Sequence, residues 1–214
     1  MIYNQKYTVN RDREDALNYL QNLKNNSTSK LRVLDVGGWH NQWASNFVTD
    51  VIDIQEVKGP KFYLGNINMP YVWQEIVEEV ELNGLFDFCI CTHTLEDIAN
   101  PRLAIEIMPQ IAKEGYIAIP SKYNELKFNQ HGFRGSVHHR WIFNIEKNNS
   151  IVAYPKVNFL ERSSTSDIIG NLSKTENDEL QFFWKDNLPI SFINDDYLGP
   201  SDSAVFGYYN NLLD

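Results

Sequence analysis

Residues 131–143 read HGFRGSVHHRWIF, which gathers His131, His138 and His139 beside Arg134, Arg140 and Trp141. The chain has two further histidines, His40 and His93. A neutral imidazole can take a proton from a hydroxyl or bind a metal, because its ordinary pKa lies near neutrality. Guanidinium groups can hold a phosphate or carboxylate through paired hydrogen bonds. Three chemistries stay open for the cluster. His138 or His139 acts as a base or touches substrate; Asp97 with one of them holds a divalent metal; or Trp141 and Phe143 are core and the polar groups serve loop backbone. Adjacent histidines seldom aim at one ion, and neither HxH nor HxxxH spacing occurs here, so no metal ligand is assigned. His131 and His40 read as surface residues.

These residues need elements to position them. A chain of 214 residues, 43% apolar and 22% charged, suits one domain spanning 1–214 with a sizeable core. A net charge of −9 argues against broad nucleic-acid binding, which needs a positive footprint. No stretch approaches the roughly 18 apolar residues of a membrane span. The first residues lack the apolar centre of a secretory signal, so a cytoplasmic protein is expected. Cys89 and Cys91 read as two buried thiols in a reducing compartment.

Ala16, Leu17, Leu20 and Leu23 make a helical stripe that Asn10 can cap. LRVLDV (31–36), DVIDI (50–54), KFYLGNI (61–67), LFDFCICT (85–92) and GYIAIP (115–120) read as strands, most of them almost wholly apolar. Helices are expected over 71–82 and after Asn100-Pro101, with Pro109 a kink. Alternating strands and helices imply a parallel sheet covered on both faces. ELQFFW and PISFI, flanking KDNL, read as a late antiparallel hairpin. Segments 121–150 and 161–178 are long polar loops of the kind that often carry function.

Asp35 precedes the Gly37-Gly38 turn, and a second acid, Asp53, ends the next strand 18 residues on, where an acid can take both hydroxyls of a ribose. The third glycine of a pyrophosphate cradle is missing, and Trp39 stands at the second, which disfavours a nicotinamide enzyme. On VLDVGG, VIDI, LGNI, FDFCICTHTLEDIANP and GYIAIPS, in that order, the chain resembles the class I S-adenosylmethionine-dependent methyltransferases over residues 31 to 121. PSKYNEL and RGxxHHRW are similar to an uncharacterised subgroup carrying LED and HHRW. Asn68-Met69-Pro70-Tyr71 follows the third strand, not the fourth, so it is not the signature of enzymes that methylate nucleic-acid amino groups.

The resemblance implies a Rossmann-like, seven-stranded, mostly parallel sheet with helices on both faces. It places a cofactor-binding half over about 31–121 and acceptor-side elements over about 122–214, with an insertion after the fifth strand. It implies S-adenosyl-L-methionine as cofactor. Asp35, Val36, Gly37 and Gly38 would lie at its methionine part, Asp53 and Ile54 at ribose and adenine, Asn66 and Ile67 at the adenine edge, and Thr92 and His93 beside the sulfonium. Two departures stand out: the glycine loop is short, and Asp97 occupies a position where relatives often carry histidine.

An alcohol acceptor needs its proton removed by a base or its pKa lowered by a metal. The base candidates are His139, His138 and His93. Tyr123 and Trp141 can stack on a sugar, and Arg134 and Arg140 can hold an acidic group. The expected activity is therefore O-methylation of a small hydroxylated acceptor, a sugar or glycan, with no nucleic acid or membrane partner. The rival reading is a methyltransferase-like binding or assembly module without turnover.

Overall fold

The computed structural model describes residues 1–9, 11–39, 42–127, 133–157, 177–193 and 201–212. Five strands form the parallel centre of a seven-stranded sheet: β2 (Val33–Val36), β3 (Asp50–Asp53), β4 (Lys61–Leu64), β5 (Phe88–Thr92) and β6 (Glu114–Pro120). Every residue of β2, β5 and β6 is buried. This is why they read as continuous apolar runs rather than alternating ones.

Two further strands complete the sheet, β1 (Ile2–Thr8) and β9 (Glu179–Lys185), in the order β1-β9-β6-β5-β2-β3-β4. β9 runs antiparallel to both β6 and β1. The expected late hairpin is corrected here. ELQFFW becomes β9 inside the main sheet, while β10 (Ile190–Phe192) leaves it and pairs in parallel with β8 (Ile151–Pro155). A full-length ladder with β6 outcompetes the local pairing that the short KDNL spacer suggested. β8 also pairs antiparallel with β7 (Trp141–Ile145), giving a second, three-stranded sheet.

Helices cover both faces of the large sheet. α2 (Pro70–Asn83) and α3 (Pro101–Ile111) bury Trp73, Ile76, Ala104 and Met108 on one face, where Phe143 and Ile151 of the small sheet join the same core. Pro109 lies inside α3 two residues from its end, where little helix remains to be disturbed. On the other face α1 (Glu14–Asn26) buries Ala16 and Leu20 against Phe88, Ile90 and Tyr116. Asn10 lies outside the described residues. The helix starts later than its cap would require: Arg13 is the N-cap residue, and Asp12 Oδ1 accepts the Glu14 N–H at 2.9 Å.

Beyond β6, Ser121 caps the short helix α4 (Lys122–Leu126) by accepting the Asn124 N–H at 3.1 Å. α5 (Asp202–Asn210) packs Phe206 and Tyr209 against Leu126 and Ile142. Most of the 161–178 loop lies outside the described residues. No described helix is long and apolar enough to cross a membrane. Cys89 and Cys91 are free and buried.

Candidate active site

β2 has β3 on one side and β5 on the other, so the chain reverses its direction of travel across the sheet at this point. Open α/β sheets bind ligands at such a reversal, beyond the carboxyl ends of the strands. A cleft of about 1130 Å³ opens there, lined among others by Gly37, Trp39, Asp53, Ile54, Asn66, Ile67, His93, Thr94 and Asp97. Asp53 closes β3, and one of its oxygens accepts the Gln55 N–H at 3.1 Å. Ile54 beside it is 64% exposed, an apolar side chain presented to the cleft. Asn66 Oδ1 accepts from both the backbone and the side chain of Asn68, and Asn68 in turn accepts the Asn100 N–H. These turns fix the cleft's far wall.

The glycine turn is shaped by the protein itself. Gly37 has φ +74°, and a Cβ there would lie 2.5 Å from Cγ2 of Thr94; at Gly38 it would lie 2.7 Å from Oγ1 of Thr92. The two glycines therefore let the β2 turn sit directly against the β5 end, whatever else binds. Asp35, buried beneath, accepts the Gly38 N–H at 3.0 Å. Burial raises its carboxyl to about 7; the Gly38 bond opposes this and the Asp53 charge adds to it. Four residues expected at the cofactor are not on the cleft wall: Asp35, Val36, Gly38 and Thr92 are buried, and Thr94, itself 6% exposed, lines the cleft just beyond the end of β5.

His93 is not a free base. Its Nε2 lies 2.5 Å from Oε1 of Glu179 and its Nδ1 3.3 Å from Oε1 of Glu96. Burial alone would lower its pKa; the bonds to the two carboxylates outweigh that and raise it to about 9. Burial likewise pushes Glu96 up, with His93 pulling against it. Glu179 is held down at about 2: burial opposes this, but Arg13 and His93 prevail. Held this way, with Nε2 bonded to Glu179 and Nδ1 facing Glu96 at charge-pair distance, His93 is an imidazolium at neutral pH and offers no lone pair with which to accept a proton.

The loop after β5 meets the start of β7 at one carbonyl: Glu96 O accepts the Arg140 N–H at 2.6 Å and the Trp141 N–H at 3.3 Å. A second pocket of about 710 Å³ opens beside the first, lined by Asp97, Ala99, Val137, His138, His139, Arg140, Trp141 and Lys156. Asp97, Ala99 and Arg140 line both. His139 is 9% exposed and its Nδ1 lies 2.7 Å from Oε1 of Glu125. Burial would lower the His139 pKa, yet the Glu125 bond outweighs it and the balance is upward. The second oxygen of Glu125 accepts from Lys156 Nζ at 2.8 Å, and both of these side chains are fully buried. Burial alone would raise Glu125; His139 and Lys156 together hold it below the usual range.

The two adjacent imidazoles do converge, against expectation: Nε2 of His138 and of His139 lie 3.6 Å and 3.4 Å from the same oxygen of Asp97. His138 is exposed and His139 buried, with their rings edge to face, so consecutive residues reach one point from different sides. Among the expected acceptor contacts, Arg140 is exposed on the wall and Trp141 lies beside it, its Nε1 donating to Ile98 O at 3.1 Å. Two others are corrected. Arg134 is 2% exposed and donates to Leu126 O, so its guanidinium supports backbone rather than facing either pocket. Tyr123 packs edge-on to Tyr7 at 5.2 Å and lines neither pocket. His40 and His131 lie outside the described residues.

Glu125, Glu179 and Lys156 escaped the sequence reading. The signal available for Glu179 was an isolated acid opening an otherwise apolar strand, ELQFFW. Segment 121–150 is not the expected long loop, since it carries α4 and β7; the signal that could have shown the β7–β8 hairpin was WIFNIEKNNSIVAYP, two apolar runs about an Asn-Asn turn whose Asn149 takes φ +63°.

No family model matches the chain, and no curated protein does. Among solved structures it is similar to an S-adenosylmethionine-dependent methyltransferase from Mesorhizobium loti, at 13% identity and a TM-score of 0.34 over 67% of this chain. The match spans 64% of that chain, a little under two thirds of its length. It is also similar to the N-terminal domain of EvdMO1 with SAH bound (9% identity, TM-score 0.40, 83% of this chain and 82% of that one). A SAM-dependent methyltransferase from Archaeoglobus fulgidus gives 14% identity and a TM-score of 0.37 over 81% of this chain and 94% of that one.

Proposed function

We propose that this chain is a cytoplasmic S-adenosylmethionine-dependent methyltransferase acting on a hydroxyl of a small acceptor, a sugar or glycan. The observation that carries the reading is the pair of joined pockets. One is a cleft at the strand ends, with an acid (Asp53) next to an exposed apolar side chain (Ile54); the other holds the histidine cluster, and Asp97 stands on the wall of both.

The cleft residues fit the donor. Asp53 offers a carboxylate to a diol, Ile54 and Ile67 offer apolar surface to a base, and the Gly37 turn with Trp39 bounds the other end. Bound there, the donor supplies an electrophilic methyl carbon on a sulfonium. The chain's own groups do the rest. Arg140 and Trp141 can hold and stack an acceptor, and the Asp97–His138–His139 cluster meets its hydroxyl. Protonated His93, fixed between Glu96 and Glu179, positions the loop that carries Asp97.

Calorimetric titration with S-adenosylhomocysteine tests the donor half. Binding abolished by Asp53→Ala is expected, and no binding at millimolar concentration sinks the reading. Transfer from a methyl-labelled donor to a panel of glycosides tests the acceptor half. Donor binding with no transfer to any hydroxylated acceptor favours a binding or assembly module.

A further inference from the structure

Asp97 and the His138-His139 pair are far apart in sequence, yet their donor atoms, Asp97 Oδ1, His138 Nε2 and His139 Nε2, all lie within 4.8 Å of one another. An ordinary ion pair does not account for the distances. A charged N–H to carboxylate contact closes to about 2.7–2.9 Å. Neither imidazole does so, at 3.4 Å and 3.6 Å, although His138 is exposed. Oδ1 of Asp97 is itself buried and accepts no hydrogen bond among the described residues. Leaving a buried acceptor unpaired is costly, so something is expected to satisfy it. Two donor atoms bound to one ion at about 2.0–2.2 Å and a near-tetrahedral angle stand about 3.4 Å apart. The Asp97–histidine separations match that spacing.

We propose that Asp97, His138 and His139 bind a divalent transition-metal ion of the Zn²⁺ type, with its remaining position open to the neighbouring pocket. Two imidazoles and one carboxylate suit Zn²⁺, Fe²⁺ or Mn²⁺ better than Mg²⁺ or Ca²⁺, which take oxygen donors. The surroundings are those of a built site. Metal-bound imidazoles characteristically donate their second nitrogen to a carboxylate that fixes tautomer and ring orientation. Glu125 does this for His139 at 2.7 Å and is itself locked by Lys156. With Nδ1 as the donor, Nε2 carries the lone pair that faces Asp97. Lys156 also lines the pocket, but Glu125 offsets its charge.

The binding site stands on this geometry alone, while its role rests on the methyl-transfer reading. A hydroxyl taken up at the open position loses its proton to water; its oxygen forms the new C–O bond as the C–S bond breaks and the electron pair returns to sulfur. The products are an ether, a neutral thioether and one proton.

The test uses the full chain stripped of metal, titrated with Co²⁺ for its visible absorption and with Zn²⁺ by calorimetry. One ion per chain is expected. His138→Ala and Asp97→Ala should lose that binding, and Glu125→Gln should weaken it by about 10–100-fold. His138 is exposed and its ring packs on His139, so its removal should leave the core intact, and an unchanged thermal unfolding curve checks this. Wild-type protein that takes up neither ion at millimolar concentration overturns the site, as does a His138→Ala variant that binds like the wild type. S-adenosylhomocysteine binding is measured on the same samples. Metal binding without it keeps the site and removes its role in methyl transfer; loss of metal in His138→Ala with S-adenosylhomocysteine binding intact supports both.

Discussion

The imidazole of His93 sits 2.5 Å from a carboxylate oxygen of Glu179, a residue 86 positions later on the antiparallel strand β9. Glu179 also takes both terminal nitrogens of Arg13, and the other ring nitrogen of His93 faces Glu96. A row of alternating charges, Arg13, Glu179, His93 and Glu96, thus runs from the start of α1 through β9 to the rim of the cleft. It explains a backbone oddity. His93 has φ +51°, a left-handed conformation costing about 1–2 kcal/mol that persists only where surrounding contacts impose it.

The charge row predicts how stability depends on pH. His93 is raised from 6.5 to about 9, so its contribution is complete below about 6.5 and fades as pH climbs through 9. A shift of that size corresponds to about 3 kcal/mol. Denaturant unfolding of wild type and His93→Gln should differ by that order at pH 6 and converge near pH 10. A difference that stays constant across the range shows that His93 is not held as an imidazolium. Glu179 gives the opposite slope: lowered to about 2, it contributes above about 4.5 and loses that contribution as the solution is acidified toward 2.

Much of the sheet was legible because burial on both faces leaves strands such as FCICT and GYIAI nearly devoid of polar residues. β1 was not, since Asn4, Gln5 and Lys6 give an edge strand no apolar pattern. β9 was recognised as a strand but given the wrong partner. Periodicity reports which face is buried; it carries no information on whether β6 or β10 lies alongside. The site follows the same division. Asp53 and the glycine turn are local features of strand ends. Asp97 beside His138 or His139 was one of the pairings the sequence left open, whereas Glu125 behind His139 and Glu179 behind His93 come from α4 and β9, which reach the site only in the folded chain.

The glycine turn makes a packing prediction separable from ligand binding. Gly37→Ala suffers left-handed backbone strain of about 1–2 kcal/mol plus overlap with Thr94. Urea unfolding should show a loss exceeding the strain alone. Adding Thr94→Ala should recover the overlap but leave the strain. A single variant as stable as wild type contradicts the close approach of the β2 and β5 ends.

Asp53 is the residue on which donor binding is expected to depend most. Asp53→Asn keeps an acceptor for the Gln55 N–H, so the turn and the unfolding midpoint should hold. The variant loses the charge and one of the two acceptor oxygens that a ribose diol would use. S-adenosylhomocysteine affinity should fall at least about tenfold, equivalent to about 1.4 kcal/mol. Equal affinities by calorimetry mean that the diol is held elsewhere and remove the main support for the donor assignment.

Glu125 touches neither pocket and acts through the His139 ring, so its effect should appear in turnover rather than in binding. Glu125→Gln keeps an oxygen for the Nδ1–H but removes the charge that compensates buried Lys156, at a cost of about 3 kcal/mol. Pairing it with Lys156→Gln restores a neutral hydrogen-bonded couple and separates loss of fold from loss of function. In that double variant kcat should fall about 10–100-fold, the range seen when the carboxylate behind a functional imidazole is altered. KM for acceptor and affinity for S-adenosylhomocysteine should stay within about threefold, less than 1 kcal/mol. A matching rise in KM with kcat unchanged would place His139 in acceptor binding alone, because only groups that act in the transition state lower kcat when disturbed.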